Sequence, residues 1–391
     1  MADRSGTFDG VHRRNLSKVL ALAHLEGPLS RARLTIETGL NRSTVAALAA
    51  ELGELGLVEE RAPDPTNRVG RPSPVVAAHP SVQAIAVNPE VDAITVAAVG
   101  LNAQILVRER LEVDRLVSPE ETAELVAEVV GRWRAHELEQ ARLVGIGLAV
   151  PGQVRSDDGL VRWAPHLEWT DAPVRALVEG ATGLPAAVAN DASLGARAEH
   201  LFGAGRGVDD LVYLNGGASG IGGGLVVGGR LVGGTRGYAG EFGQNRPGIA
   251  RPEDRRAPDG VLEDEVSRAR LLEVVGLGHA DEPTLAAELA TRVAAGDAAV
   301  ADELARQQRI LATALGNAIN VLNPSLIVLG GFLATLATHD PEALDAAVAD
   351  QALPVASEGL AIRVAELGEH RLLIGAAELA FAGLLADPLA G

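Results

Sequence analysis

One pattern occurs twice in this chain and limits its fold more than any other. Paired β-like runs are followed, further on, by a helix and then an apolar strand that ends in glycine or Pro-Gly. In the first copy, Ala84 to Val87 and Ala93 to Val99 alternate as strands around Asn88–Asp92, and Ile105 to Val113 continues the sheet. Pro119 to Leu138 then reads as a helix, and Val144 to Val150 as a strand entering Pro151–Gly152. In the second copy, Leu211 to Leu214 leads through NGGASGIGGG to a hairpin of Leu225–Val227 and Arg230–Val232 around Gly228–Gly229. The helix Val300 to Leu322 follows, then the strand Leu326 to Leu329 and Gly330–Gly331. A supersecondary unit repeated on this scale predicts two α/β lobes facing a cleft.

Between the copies lies VANDASLGARAE. A β-rich run, Leu184 to Ala189, enters Asn190–Asp191, and a helix-like segment follows with Leu194, Ala198 and Leu201 on one side. Binding crevices of α/β folds lie at such strand ends. A carboxylate accepts from one hydroxyl while the neighbouring amide both donates and accepts, which suits a polyol. The pair is also common in plain turns, so it needs company before it means anything.

Residues 1–80 differ from the rest. They hold ten Lys and Arg against nine Asp and Glu, about +1, whereas the remainder carries 24 against 43, or −19. An acidic body argues against one broad nucleic-acid surface but leaves room for a small DNA-reading head. Asn15 to Glu26 has a helical period, ended by Gly27–Pro28. Ser30 caps a helix Arg31 to Thr38, Gly39 turns the chain, and Asn41 caps a third helix with Val45, Leu48, Leu52 and Leu55 inward. Two short helices around a glycine turn make a helix-turn-helix, whose second helix reads DNA with its N-terminal residues. That assigns Asn41, Arg42, Ser43 and Thr44 to base edges and phosphates. Leu57–Glu60 and Pro74–Ala77 read as wing strands, with Arg68 and Arg71 in the polar tip suited to a minor groove. The competing reading is a helical protein-binding module, which Glu37, Glu51, Glu54, Glu59 and Glu60 keep open.

Other classes are narrowed by absence. The 391 residues include no cysteine, which removes disulfides and thiolate metal sites and fits the cytoplasm. The nine histidines show no metal-ligand spacing. No run of about 18 apolar residues occurs, and the polar start MADRSGTFDG lacks the apolar core of a signal peptide, so no membrane is expected.

The ordered set GIGLAVPGQV, WAPHLEW, AVANDASLGARAE, GASGIGGGLVVGGRLVGG, GEFGQ, GVLEDEVS, NPSLIVLGG and GAAELA resembles the ROK family, which groups sugar kinases with sugar-responsive repressors. The likeness covers about residues 81–385, and the head resembles the winged helix-turn-helix of the family's repressors, down to the GRP of the wing. It implies an actin- and hexokinase-like, ribonuclease-H-like body of two lobes, residues 81–391. Lobe one is expected over about 81–198 plus the C-terminal helix, and lobe two over about 199–370. The resemblance also implies a sugar site. Asn190 and Asp191 match the sugar-binding pair, the Asp being the base in the kinases. Glu241 matches the Glu of the family's Glu-x-Gly-His, and Glu263 that of its Gly-Cys-Leu-Glu. His166 stands where kinases usually have Asn, and Gly152 borders the same place. Several carboxylates with an Asn converging on a cleft also make a polyol cage; the competing, less favoured reading of Glu241 and Glu263 is loop acids facing water.

Three departures shape the functional expectation. The kinases carry Asp-x-Gly-Gly-Thr at the first hairpin, where backbone amides cradle ATP. Here the turn is Asn88–Pro89–Glu90–Val91–Asp92. Proline has no amide proton, Glu90 repels phosphate, and no glycine permits close approach. Phosphoryl transfer depends on positioning and neutralising those phosphates, so Asp191 is expected to be a vestigial base. The glycine-rich GASGIGGG is either a nucleotide loop or simply a hairpin; the hairpin is favoured. The family's zinc motif uses three Cys and the His of Glu-x-Gly-His, but here there is no Cys and Gln244 replaces the His, so no zinc is expected. Gln244 still donates and accepts, and stays a sugar candidate. Residues 245–259 take the zinc motif's place as a polar loop.

The expectation is therefore a sugar-responsive regulator, a repressor by analogy, without ATP, magnesium or other cofactor. Double-stranded operator DNA, a small sugar or sugar derivative, and a second copy in a homodimer or homotetramer are the expected partners. A sugar that prefers one lobe arrangement would shift the population and change operator affinity. The alternatives are an ATP-dependent sugar kinase with a DNA-binding head and a ligand-independent DNA-binding regulator.

Overall fold

The computed structural model describes residues 4–62, 73–258 and 260–390. The chain divides into two compact units. The first holds residues 1–152, 158–189 and 373–391, and the second holds 153–157 and 190–372.

The first unit begins with α1 (Arg4–Leu25), the two-residue β1 (Leu29–Ser30), α2 (Arg31–Thr38) and α3 (Arg42–Glu54). Both expected caps form. Ser30 accepts from the Arg33 amide and Asn41 from the Thr44 amide, while Gly39 ends α2 at φ 71°. Leu16, Val19, Leu20, Leu34, Val45, Leu48 and Leu52 close the core between the three helices. Strand β2 (Val58–Arg61) pairs antiparallel with β3 (Val75–Ala78), which also pairs with β1. Arg31 of α2 grips Glu60 of β2, tying helix to ribbon. Arg68 and Arg71 lie outside the described residues. Helix α1 starts eleven residues before the expected Asn15. In its added turns Arg13 pairs with Asp387, just past the C-terminal helix.

Next come β4 (Val82–Pro89), β5 (Ala93–Gly100), β6 (Ile105–Glu112), α4 (Pro119–Arg134) and β7 (Arg142–Val150). All residues of β4 and β5 are buried, which fits central strands covered on both faces. Strand β6 alternates along its length, as a sheet edge does. Helix α4 opens with a capping box from Ser118 and Glu121 and stops at Arg134, short of the expected Leu138. The short β8 (Gln153–Val154) belongs to the second unit. In the first unit again, β9 (Val161–Ala164) pairs antiparallel with β10 (Trp169–Ala172), and α5 (Val174–Thr182) leads to β11 (Ala186–Asn190). The sheet order is β11-β7-β4-β5-β6, with β4 antiparallel to β5 and parallel to β7.

The second unit opens with α6 (Asp191–Phe202), followed by β12 (Leu211–Gly217), β13 (Gly220–Val227) and β14 (Arg230–Leu231). Helices α7 (Leu262–Glu265), α8 (Arg268–Val275), α9 (Glu282–Ala294) and α10 (Ala298–Leu322) precede β15 (Leu326–Gly331), α11 (Phe332–His339), α12 (Pro341–Gln351) and β16 (Ala361–Val364). The sheet order β14-β13-β12-β15-β16 repeats the first: β12 is antiparallel to β13 and parallel to β15. The expected duplication is thus present strand for strand. GASGIGGG forms the β12–β13 hairpin. The division falls at Asn190 rather than at residue 198, because α6 packs on β12 and β13.

The last helix, α13 (Arg371–Ala386), lies mostly in the first unit. It packs so closely on β7 that a Cβ at Gly147 would come within 1.8 Å of the Ala376 carbonyl. It also carries the N-terminal helices. Arg13 pairs with Asp387, Ser17 donates to the Leu385 carbonyl, and His24 Nε2 lies 2.9 Å from Glu378 Oε1. From β7, Arg142 donates to the Leu55 carbonyl at 2.8 Å. The described part of residues 1–80 groups with the first unit. Among the described residues no helix is long and apolar enough to cross a membrane.

Candidate functional site

At the β11–α6 junction the local chemistry is a helix cap. Asn190 Oδ1 accepts from the Ser193 amide at 2.9 Å, and its Nδ2 donates to Asp191 Oδ1 at 3.2 Å. Asp191 Oδ1 also accepts from the Ala192 amide at 2.8 Å. Burial pushes the Asp191 carboxyl up to about 6; the Ala192 amide and the Arg371 guanidinium oppose the rise, and Glu241 adds to it.

Glu263 is seated on the glycine-rich hairpin. Its Oε2 accepts from the Ile221 amide at 3.0 Å, and its Oε1 from Gln244 Nε2 at 2.6 Å. The glycines make room for this. A Cβ at Gly220, where φ is 128°, would stand 2.3 Å from Glu263 Oε2. Gln244 thus holds Glu263 in place. Glu241 precedes the same 3-10 turn, Phe242–Gln244, and is exposed. Desolvation of its carboxylate, then the charge of Glu263, raises its pKa. Glu241 feels the charge of Glu263 and acts in turn on Asp191, and Asn190 and Gln244 are bonded to members of the set. All five lie in the second unit. Carboxylates and amides gathered in this way present acceptors and donors of the kind a polyol uses.

Arg371 is the cation facing Asp191, and sequence reasoning passed over it. The signal was present: it is one of two charged residues in the apolar α13. His166 and Gly152 belong to the first unit. His166 is exposed on a 3-10 turn after β9. Gly152 packs on β9, where a Cβ would come 2.6 Å from the Trp163 carbonyl.

The first hairpin differs from an open phosphate loop. Its ladder continues through Asn88↔Thr95 and Pro89↔Ile94, leaving only 90–92 in the turn. Glu90 is held there by Arg110, which also reaches Asp92 at 3.1 Å and Glu112 at 2.8 Å. The Arg110 charge is thus spent on carboxylates of its own hairpin. Nor do the residues fit the zinc that the resemblance implies: the chain has no cysteine, and Gln244 gives its amide to Glu263.

On α3, Asn41, Arg42 and Ser43 are exposed and Thr44 is half-buried. Asn41 Oδ1 is committed to the cap and accepts from Ser43 Oγ at 2.7 Å, so Arg42 is the least encumbered of the four.

The sequence profile of the ROK family matches residues 84–382. A putative xylose repressor of Caldicellulosiruptor sp. (strain Rt8B.4) is 24% identical over 96% of this chain and 98% of its own length. A glucokinase of Halalkalibacterium halodurans is 30% identical over 62% of this chain and 78% of its own. The crystal structure of a ROK family transcriptional regulator, a homolog of the E. coli MLC protein, superposes with a TM-score of 0.76 at 24% identity, covering 96% of this chain and 97% of that one.

Proposed function

Because this chain belongs to the ROK family, we propose that it is a sugar-responsive transcriptional regulator that does not phosphorylate its sugar. The observation that carries the reading is the joining of two parts in one unit. One part is a three-helix head with a β-ribbon. The other is a family body whose first hairpin holds a carboxylate where a kinase needs phosphate-binding amides. The full-length likeness to a xylose repressor supports it further.

On this reading residues 1–80 are a winged helix-turn-helix. Arg42, with Asn41, Ser43 and Thr44, approaches double-stranded operator DNA from the N-terminus of α3, and Arg68 and Arg71 act from the wing. Asp191, Asn190, Glu241, Gln244 and Glu263 take the sugar. No ATP, magnesium or zinc takes part. Palindromic operators require paired heads, hence a homodimer or homotetramer, acting in the cytoplasm. A sugar that binds one conformation of the regulator more tightly than another shifts its affinity for DNA by that differential.

The competing reading is a kinase with a DNA-binding head, favoured by Asp191, whose pKa near 6 suits a base. A gel shift with the chain's own upstream DNA, run with and without a sugar panel, beside a coupled assay with Mg-ATP, separates the two. The regulator reading expects a sugar-dependent shift and no turnover. Turnover above roughly 1 s⁻¹, an ordinary enzyme rate, rejects it.

A further inference from the structure

We infer that Arg306, on α10 and outside the sugar contacts, is a positioning residue for the effector: it clamps α7 and thereby fixes Glu263 on its hairpin, in a chain whose residues do not fit the family's zinc. The inference rests on the proposed function for its purpose, though not for its geometry.

Helix α7 has only four residues, too few to hold itself in water. Glu263 and Glu265 stand two residues apart on it, about 200° around a helix, so they leave on opposite sides. Glu263 reaches the Ile221 amide and Gln244. Glu265, fully buried, turns the other way. It accepts from the Arg256 and Ala257 amides at 2.9 and 2.8 Å and lies 3.0 Å from Arg306 Nη1.

The Arg306 side chain is 3% exposed, and its guanidinium is used on every side. Nη1 also donates to the Asp254 carbonyl at 2.8 Å. Nη2 donates to the Glu265 carbonyl and to Glu303 at 2.7 Å each, and Nε donates to Glu303 at 2.8 Å. One planar cation thus joins three pieces of chain: the 245–259 loop, α7 and α10. Asp254 is fastened again from its side chain by Arg309, at 2.7 and 3.0 Å. A metal bound by loop ligands would cross-link the same kind of segment. Here a rigid five-donor fork does so, and lysine, with a point charge, cannot reproduce it. Because α7 is a single turn anchored at its start by buried Leu262, a tilt at Glu265 carries Glu263 with it.

The test uses the full-length protein with Arg306→Lys, Glu265→Gln, Glu263→Gln and the double Arg306→Lys/Glu263→Gln. Amide exchange is followed by mass spectrometry in the hairpin peptide around Ile221, and sugar affinity by calorimetry with D-xylose and D-glucose. Arg306→Lys is expected to speed exchange at Ile221 as Glu263→Gln does. It is also expected to weaken sugar binding by about tenfold, the order of one charge-assisted hydrogen bond. The double variant should lose no more than the worse single, since both act through one carboxylate. Glu265→Gln reads the same link with less risk to folding. Native exchange at Ile221 in both Arg306→Lys and Glu265→Gln overturns the inference, as does a double variant whose losses multiply. Faster exchange at Ile221 with no heat from either sugar, in the native protein as in the variants, upholds the clamp and counts instead against the sugar role.

Discussion

His24 Nε2 of α1 lies 2.9 Å from Glu378 Oε1 of α13, with the two side chains 1% and 2% exposed. The Phe381 ring meets the imidazole edge-on, its centre 6.0 Å away. This is a polar contact buried in the seam between α1 and α13. Removing one partner leaves the other buried and unmatched, which typically costs about 3–5 kcal/mol. Glu378→Ala should therefore lower stability to urea by that order. His24→Leu/Glu378→Leu, which removes both polar groups, should lose clearly less. Equal losses would mean that the contact is not a pair.

On the proposed function, Asp191 should make sugar binding and stability answer to pH in opposite senses. Its folded pKa, about 6, lies above the ordinary 3.8, because burial penalises the charge. Between those values the native chain holds a proton that the unfolded chain lacks. Its contribution to stability therefore grows as pH falls through 6 and is lost as pH rises. If the sugar's hydroxyls donate to both oxygens of the ionised carboxylate, as proposed, its affinity should fall below about pH 6, where one oxygen becomes a donor. Calorimetry and thermal melts at pH 5 and 7.5, with Asp191→Asn as reference, check both trends. Asp191→Asn should flatten each of them. A sugar affinity that rises on acidification would remove Asp191 from the site.

Arg42→Ala should weaken operator binding by about 1–3 kcal/mol if it reads a base, or reduce the salt slope by about 1 if it meets a phosphate. A salt series of gel shifts distinguishes the two. No change in either would move the DNA contact off α3.

Glu90 and Arg110 give a test of the proposal that the chain is not a kinase. Mg-ATP with hexoses should yield no sugar-dependent ADP. Arg110→Ala should not create activity, since Pro89 still lacks an amide proton and Glu90 remains. Turnover in either protein would show that the closed hairpin admits phosphates after all.

What could be read from the sequence was local chemistry. Ser30 and Asn41 cap their helices because a short polar side chain before an apolar period has few other uses, and Asn190 ends its strand where the sequence placed it. The doubled sheet was legible because strand alternation and terminal glycines repeat. What stayed hidden depends on partners far along the chain. In the early turns of α1, Arg13 pairs with Asp387, 374 residues further on. The seat of Glu263 depends on the Ile221 amide and on Gln244, whose residue type alone did not reveal its partner. Arg371 and Arg306 carried no motif, and only folding shows what each faces. The lobe boundary was displaced because α6 joins the strands that follow it.

The most direct measurement is operator affinity by fluorescence anisotropy, with and without a saturating sugar, on the native protein and on Asp191→Ala. The account predicts that one sugar changes the native affinity by roughly 5–150-fold, the usual span of allosteric coupling. It predicts that Asp191→Ala binds the operator normally and ignores the sugar. A native protein whose operator affinity no sugar moves, or one that consumes ATP when the sugar is added, contradicts it.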